Sequence, residues 1–144
     1  MRALAPGLVL SNSTALAVGV EVDVAGGSWF NGSPPLQARL GVHQQLAKIG
    51  ERFRLVLGLD AGLLVHTVGG RLGIPVDLTL ALHVSRVFLA VVGGPWFHVN
   101  DGEVLRAHVG GEFGVTFGKV SSVSVEAGWL QPAPLLLGRF GVRF

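Results

Sequence analysis

Apolar and polar residues alternate one by one through most of this chain. In 14–24 the even positions are Leu16, Val18, Val20, Val22 and Val24, set against Ala15, Ala17, Gly19, Glu21 and Asp23. In 36–46 the apolar set is Leu36, Ala38, Leu40 and Val42, with Gln37, Arg39, Gly41, His43 and Gln45 opposite. The clearest case is Leu105, Ala107, Val109, Gly111, Phe113, Val115 and Phe117, facing away from Arg106, His108, Gly110, Glu112, Gly114, Thr116 and Gly118. Stretches at 53–66, 72–83 and 122–129 repeat the pattern, and only 87–98 is apolar on both faces. A period of two sustained over ten or more residues predicts long two-faced strands; a helix would need apolar residues every three or four positions. Turn chemistry recurs at "NGSPP" (31–35), "KIGER" (48–52), "VGGR" (68–71), "SR" (85–86), "NDGE" (100–103), "GK" (118–119) and "QPAP" (131–134). Seven breaks predict eight strands and an all-β chain.

The chain ends "GRFGVRF", placing Phe140, Val142 and Phe144 on one face and Arg139, Gly141 and Arg143 on the other. Terminal residues usually fray. A large apolar residue in phase with its predecessors predicts a terminus that belongs to the wall. Residues 1–13 read as an N-terminal lead-in or an expression-derived start, and 14–144 as one domain.

Composition tells which face is inside. Only 14% of the 144 residues are charged while 49% are hydrophobic, whereas a soluble surface calls for interspersed charges of both signs. The polar faces of the alternating segments hold no lysine. They mix Gly and Ala with Arg, Asp, Glu and His, which suits a narrow interior where opposite walls share space. The apolar faces run for about 9–13 residues, against the ~9–11 tilted residues that cross a bilayer. Aromatics gather near segment ends, with Trp96, Phe97 and Trp129 at one rim and Phe53, Phe117 and Phe144 at the other, as interfacial girdles do. Hydrocarbon leaves no backbone group unpaired, so such a sheet must close. Eight strands close around a lumen that side chains fill. The expected fold is an all-β, eight-stranded, antiparallel up-and-down transmembrane β-barrel with a polar, filled lumen. It pairs 14–24 with 134–144 and has outward loops at 25–35, 67–71, 99–103 and 131–134.

On these residues the chain resembles the small eight-stranded bacterial outer-membrane barrels of the OmpA/OmpX type, over 14–144. The resemblance implies a Gram-negative outer-membrane location, contact with lipid bilayer and lipopolysaccharide, and a monomer. It also implies that the assembly machinery reads the end formed by Phe140, Val142 and Phe144. The short loops depart from the family, which weakens a loop-based adhesin or receptor role.

Lumen candidates are Glu21, Asp23, Asp60, Asp77, Glu112 and Glu126 against Arg39, Arg54, Arg106, Arg139 and Arg143. They are expected to form a fixed network of charge-assisted hydrogen bonds rather than a gated pathway. Carboxylates outnumber arginines at mid-height, so Arg139 should bond Glu112 or Glu126. His43, His66, His83 and His108 also point inward, without the convergent spacing of a metal site. No cofactor is expected: there is no cysteine, no Gly-rich phosphate cradle at a strand-to-helix junction and no basic run for nucleic acid. The main role expected is structural, anchoring in the membrane with at most narrow conductance. The alternatives are a soluble lipocalin- or avidin-like barrel around a small apolar ligand, and a lipid-modifying hydrolase using His83 and Ser85. The inward register of that pair argues against the hydrolase, because its chemistry needs both groups exposed to an acyl chain.

Overall fold

The computed structural model describes residues 17–30, 32, 34–99 and 102–144. Residues 1–13, the expected strand start at 14–16, Asn31 and Ser33 of the first turn, and Asn100 and Asp101 of the fifth lie outside them. Eight strands follow one another: β1 Val18–Trp29, β2 Pro35–Ile49, β3 Phe53–His66, β4 Leu72–Val84, β5 Val87–Val99, β6 Leu105–Phe117, β7 Ser121–Leu130 and β8 Ala133–Arg143. Each pairs antiparallel with its neighbours, and β1 pairs with β8 to close the barrel. The seam runs from Glu21 opposite Arg143 to Trp29 opposite Leu135. Phe144 extends it, its amide donating to the Val20 carbonyl at 2.8 Å.

The turns alternate between two ends. The end where β1 begins and β8 finishes has three short turns, at 50–52, 85–86 and 118–120. The tight backbone there explains the sequence: Gly50 and Gly118 adopt φ of 62° and 64°, and Ser85 adopts 59° in its two-residue turn. The far end carries the connections at 30–34, 67–71, 100–104 and 131–132. The first is shorter than the expected 25–35 loop, because β1 continues through Ala25-Gly26-Gly27-Ser28-Trp29. Gly27 lies hard against the Leu136 carbonyl, an approach that a side chain would prevent. Its neighbours therefore stay in the ladder.

Prolines interrupt the ladder without shifting it. Between β3 and β4 the pairing lapses from Ala61–Val76 to Leu64–Gly73, beside Pro75. Between β4 and β5 it lapses from Pro75–Trp96 to Leu78–Gly93, beside Pro95. A proline supplies no N–H, so one rung is lost on the side its nitrogen faces.

The alternation resolves into an exposed apolar outside and a packed inside. Val22, Leu40, Leu59, Leu78, Leu89, Val109, Val125 and Phe140, one from each strand in turn, all face outward and are exposed. Phe53 and Phe117 at the terminal rim, and Phe97 and Trp129 at the far rim, are exposed in the same way. Trp96 corrects the reading of the rim aromatics: it is fully buried in the lumen. Adjacent strand residues point to opposite faces, so with Phe97 outward Trp96 must face inward. The two-sided apolar character of β5 concealed that phase.

Close packing between strands makes a testable demand. A Cβ on Gly94 would overlap the Val76 carbonyl, whereas one on Gly102 would meet nothing within 4 Å. Gly94→Val should destabilise the refolded barrel by about 1–3 kcal/mol through overpacking. Gly102→Ala should stay within ~0.5 kcal/mol. Urea unfolding midpoints in lipid vesicles compare the two.

Candidate functional site: a charged ring and an apolar plug

Inward-facing residues of all eight strands meet across the lumen. The central feature is a ring of six side chains from six strands. Arg39 on β2 donates from Nε to Asp23 on β1 at 3.2 Å and from Nη1 to Asp77 on β4 at 2.9 Å. Asp77 Oδ1 lies 2.8 Å from His108 Nδ1 on β6, and His108 Nε2 lies 2.6 Å from Glu126 Oε1 on β7. Glu126 accepts from Arg139 on β8, whose Nη1 returns to within 4.0 Å of Asp23. Of the two carboxylates considered for Arg139, Glu126 is the one it meets.

Charge within the ring is balanced by geometry. Both nitrogens of His108 face carboxylate oxygens, and an ionised carboxylate can only accept, so two hydrogens must lie on those two contacts. Arg39, His108 and Arg139 alternate around the ring with Asp77, Glu126 and Asp23. The strand register makes such pairing necessary. Asp60 lies directly opposite Asp77, and Glu112 directly opposite Glu126, and like charges in that relation destabilise a sheet. Each member is drawn to a different partner. Asp60 accepts from Thr79 at 2.9 Å and meets His43 Nε2 at 3.0 Å. Glu112 accepts from Ser124. Nearer the terminal end Glu21 holds Arg143, with Nη2 at 2.7 Å, and accepts from Ser122 at 3.3 Å. Glycines make the room: a Cβ on Gly41 would overlap Asp60 Oδ1 and lie 2.6 Å from His43 Nε2. Arg54, half-buried near the terminal rim, lies outside this network and stands opposite His83 in the β3–β4 register.

Toward the far end apolar side chains dominate the lumen, with a few polar groups packed among them. Trp29, Leu64, Trp96, Leu130, Ala133, Leu135 and Leu137 pack into one buried cluster. Trp96 joins it to the ring, its Nε1–H donating to Asp77 at 3.1 Å. Trp29 Nε1–H donates to the Leu130 carbonyl at 3.0 Å. The rings of Trp29, His66 and His98 stack at centroid separations of 5.4–6.4 Å. Arg106 caps the stack, its guanidinium 5.0 Å from the Trp29 ring, and donates to the Gln131 carbonyl and pairs with Glu103. Sequence reasoning missed Trp29, Leu64, Leu135, Leu137 and His98 as lumen residues. Counting back in steps of two from Arg139 finds Leu137 and Leu135, and counting on from Ala25 finds Trp29. Their apolar nature masked the phase.

Below the ring a cavity of about 50 Å³ opens toward the terminal end, lined by residues that include Thr79, His83, Phe88, Glu112 and Ser124. It has room for a few waters. His83 is buried and stacks on Phe88 at 5.1 Å, while Ser85 lies in the exposed turn beyond it. The two do not present a joint face to the outer wall. No group of three or more metal-ligating side chains converges among the described residues.

The ring can be tested by removing one cation. Arg139→Met leaves Glu126 buried with His108 alone and Asp23 with Arg39 alone. Breaking a buried pair in this way should cost about 3–5 kcal/mol. The exposed Arg86→Met should change little in vesicles of neutral lipid. Urea unfolding in vesicles measures both, and an unchanged midpoint for Arg139→Met would remove it from the structural network.

No protein-family model matches the chain, and no characterised protein matches it by sequence. Solved structures match its fold. The outer-membrane enzyme PagL aligns at TM-score 0.60 and 17% identity over 86% of this chain and 98% of that one. The N-terminal β-barrel domain of Pseudomonas aeruginosa OprF aligns at 0.56 and 15% identity, covering 88% and 97%. A de novo designed transmembrane β-barrel aligns at 0.59 and 14% identity, covering 88% and 95%. Identities this low speak to backbone architecture alone. With eight antiparallel strands closed in sequence order, an apolar exterior and a filled interior, the chain has the fold of the small eight-stranded outer-membrane barrels of the OmpA/OmpX type.

Proposed function

We propose that this protein is an integral barrel of the bacterial outer membrane with a structural, membrane-anchoring role, no enzymatic activity and at most a narrow conductance. The observation that carries the reading is the combination of a closed, outwardly apolar wall with a lumen blocked twice, by the charged ring and by the plug beyond it. An exposed apolar belt on this scale is far larger than the patches that soluble monomers tolerate. Strands of 10–15 residues meet the length a tilted strand needs to cross hydrocarbon. The same belt weighs against a soluble ligand-binding barrel, whose apolar side would be turned inward. The short far-end turns leave little surface for an adhesin, and His83 in the lumen weighs against acyl hydrolysis from the outer wall. In this reading both termini lie on the periplasmic side, bilayer and lipopolysaccharide surround the wall, and the chain is a monomer.

Two measurements test the proposal. Refolded protein in planar bilayers should show heat-modifiable gel mobility and little or no conductance near neutral pH. A large, steady open conductance would establish a channel, and loss of solubility dependence on detergent would return the soluble barrel. Phe144 offers the second test, because its side chain is 80% exposed and contributes little packing. Phe144→Asp should harm assembly in cells more than the urea stability of the refolded barrel. Equal losses in both assays would make Phe144 a packing residue and not a recognition signal.

A further inference from the structure

The two rims differ in charge. At the terminal end, the three short turns carry Arg52, Arg86 and Lys119, against the single acid Glu51. At the far end, the connections at 67–71 and 100–104 carry Arg71 against Asp101 and Glu103. Lys48 pairs with Glu51 at 3.1 Å. The exposed side chains of Arg52, Arg86 and Lys119 meet no carboxylate among the described residues.

These cations are held at a definite height. Turns of two or three residues cannot carry a side chain far from the wall, and each turn is flanked by outward apolar residues: Ile49 and Phe53, Val84 and Val87, Phe117 and Val120. Where those residues enter hydrocarbon, a long cationic side chain on the adjoining turn reaches the headgroup layer, with its aliphatic stem on the apolar side. Phosphate is the anion at that level. We propose that the terminal rim is a binding surface for anionic phospholipid headgroups, formed by Arg52, Arg86 and Lys119. It anchors the end where β1 begins and β8 finishes to the phospholipid leaflet. This rests on the membrane reading above and adds to it a lipid class and a side.

The test uses the full chain refolded into vesicles of phosphatidylcholine, of phosphatidylcholine with phosphatidylglycerol, and of phosphatidylcholine with lipopolysaccharide. Lipid retained on the protein is measured by native mass spectrometry, and insertion by heat-modifiable mobility. The parent should retain phosphatidylglycerol preferentially, and salt should weaken that preference by screening. The triple variant Arg52→Gln, Arg86→Gln, Lys119→Gln should still insert into neutral vesicles but lose preference on the order of 100-fold, given the strength of each cation near an anionic surface. Lys119→Gln alone, the smallest change, should give a partial loss and serves if the triple variant fails to fold. No preference in the parent, or full preference in the variants, overturns the proposal. So does a charge effect seen only with lipopolysaccharide, or competition by free glycerol phosphate as strong as by the lipid. Failure of the parent to insert into any vesicle would instead overturn the membrane reading itself.

Discussion

Nine consecutive register pairs join Glu21–Trp29 of the first strand to Leu135–Arg143 of the last. Without them the sheet would have two free edges along an apolar surface, each a row of unpaired N–H and C=O groups with nothing in hydrocarbon to satisfy it. Closure therefore comes before every other feature. It brings Asp23 beside Arg139 and Glu21 beside Arg143, and it turns the inward faces of eight strands toward one narrow axis. The long alternation, the tight turns and the in-phase Phe144 all serve that seam.

Closure also creates the problem that the lumen solves. Side chains from opposite walls are forced into one space too small for independent solvation. Two like-charge pairs, Asp60 with Asp77 and Glu112 with Glu126, stand directly across adjacent strands. The answer is division of partners. Asp77 and Glu126 share His108 and take Arg39 and Arg139, while Asp60 and Glu112 turn to His43, Thr79 and Ser124. In low dielectric such a network stands or falls as a unit, since each group left without its partner is costly. The apolar plug needs no such pairing. It seals the far end by packing, and Trp96 touches both systems.

How much of this was legible in the chain follows from what each residue says about its own phase. Where charged and apolar residues alternate, as in β6, the inward set Arg106, His108 and Glu112 is visible at once. The termini of strands and the start of the first loop were less legible: Ala25 to Ser28 look like loop residues, yet small size is what lets them join a tightly packed ladder. Trp96 was misread because both faces of β5 are apolar, and Leu135 and Leu137 were overlooked because an apolar residue inside a barrel carries the same signature as one outside it.

The alternation of side chains along the chain by itself determined an all-β wall, its eight strands, its need to close and the residues available to a polar interior. Those properties depend on a period of two and on neighbours a few positions apart. Tertiary structure alone decided which carboxylate meets which cation, that His108 lies between Asp77 and Glu126, and that Trp29 and Leu64 close the far end together. Pairings of that kind depend on stagger between strands and on distance across the lumen. Residues 31, 38 or 101 positions apart become neighbours only when the sheet has curled and sealed.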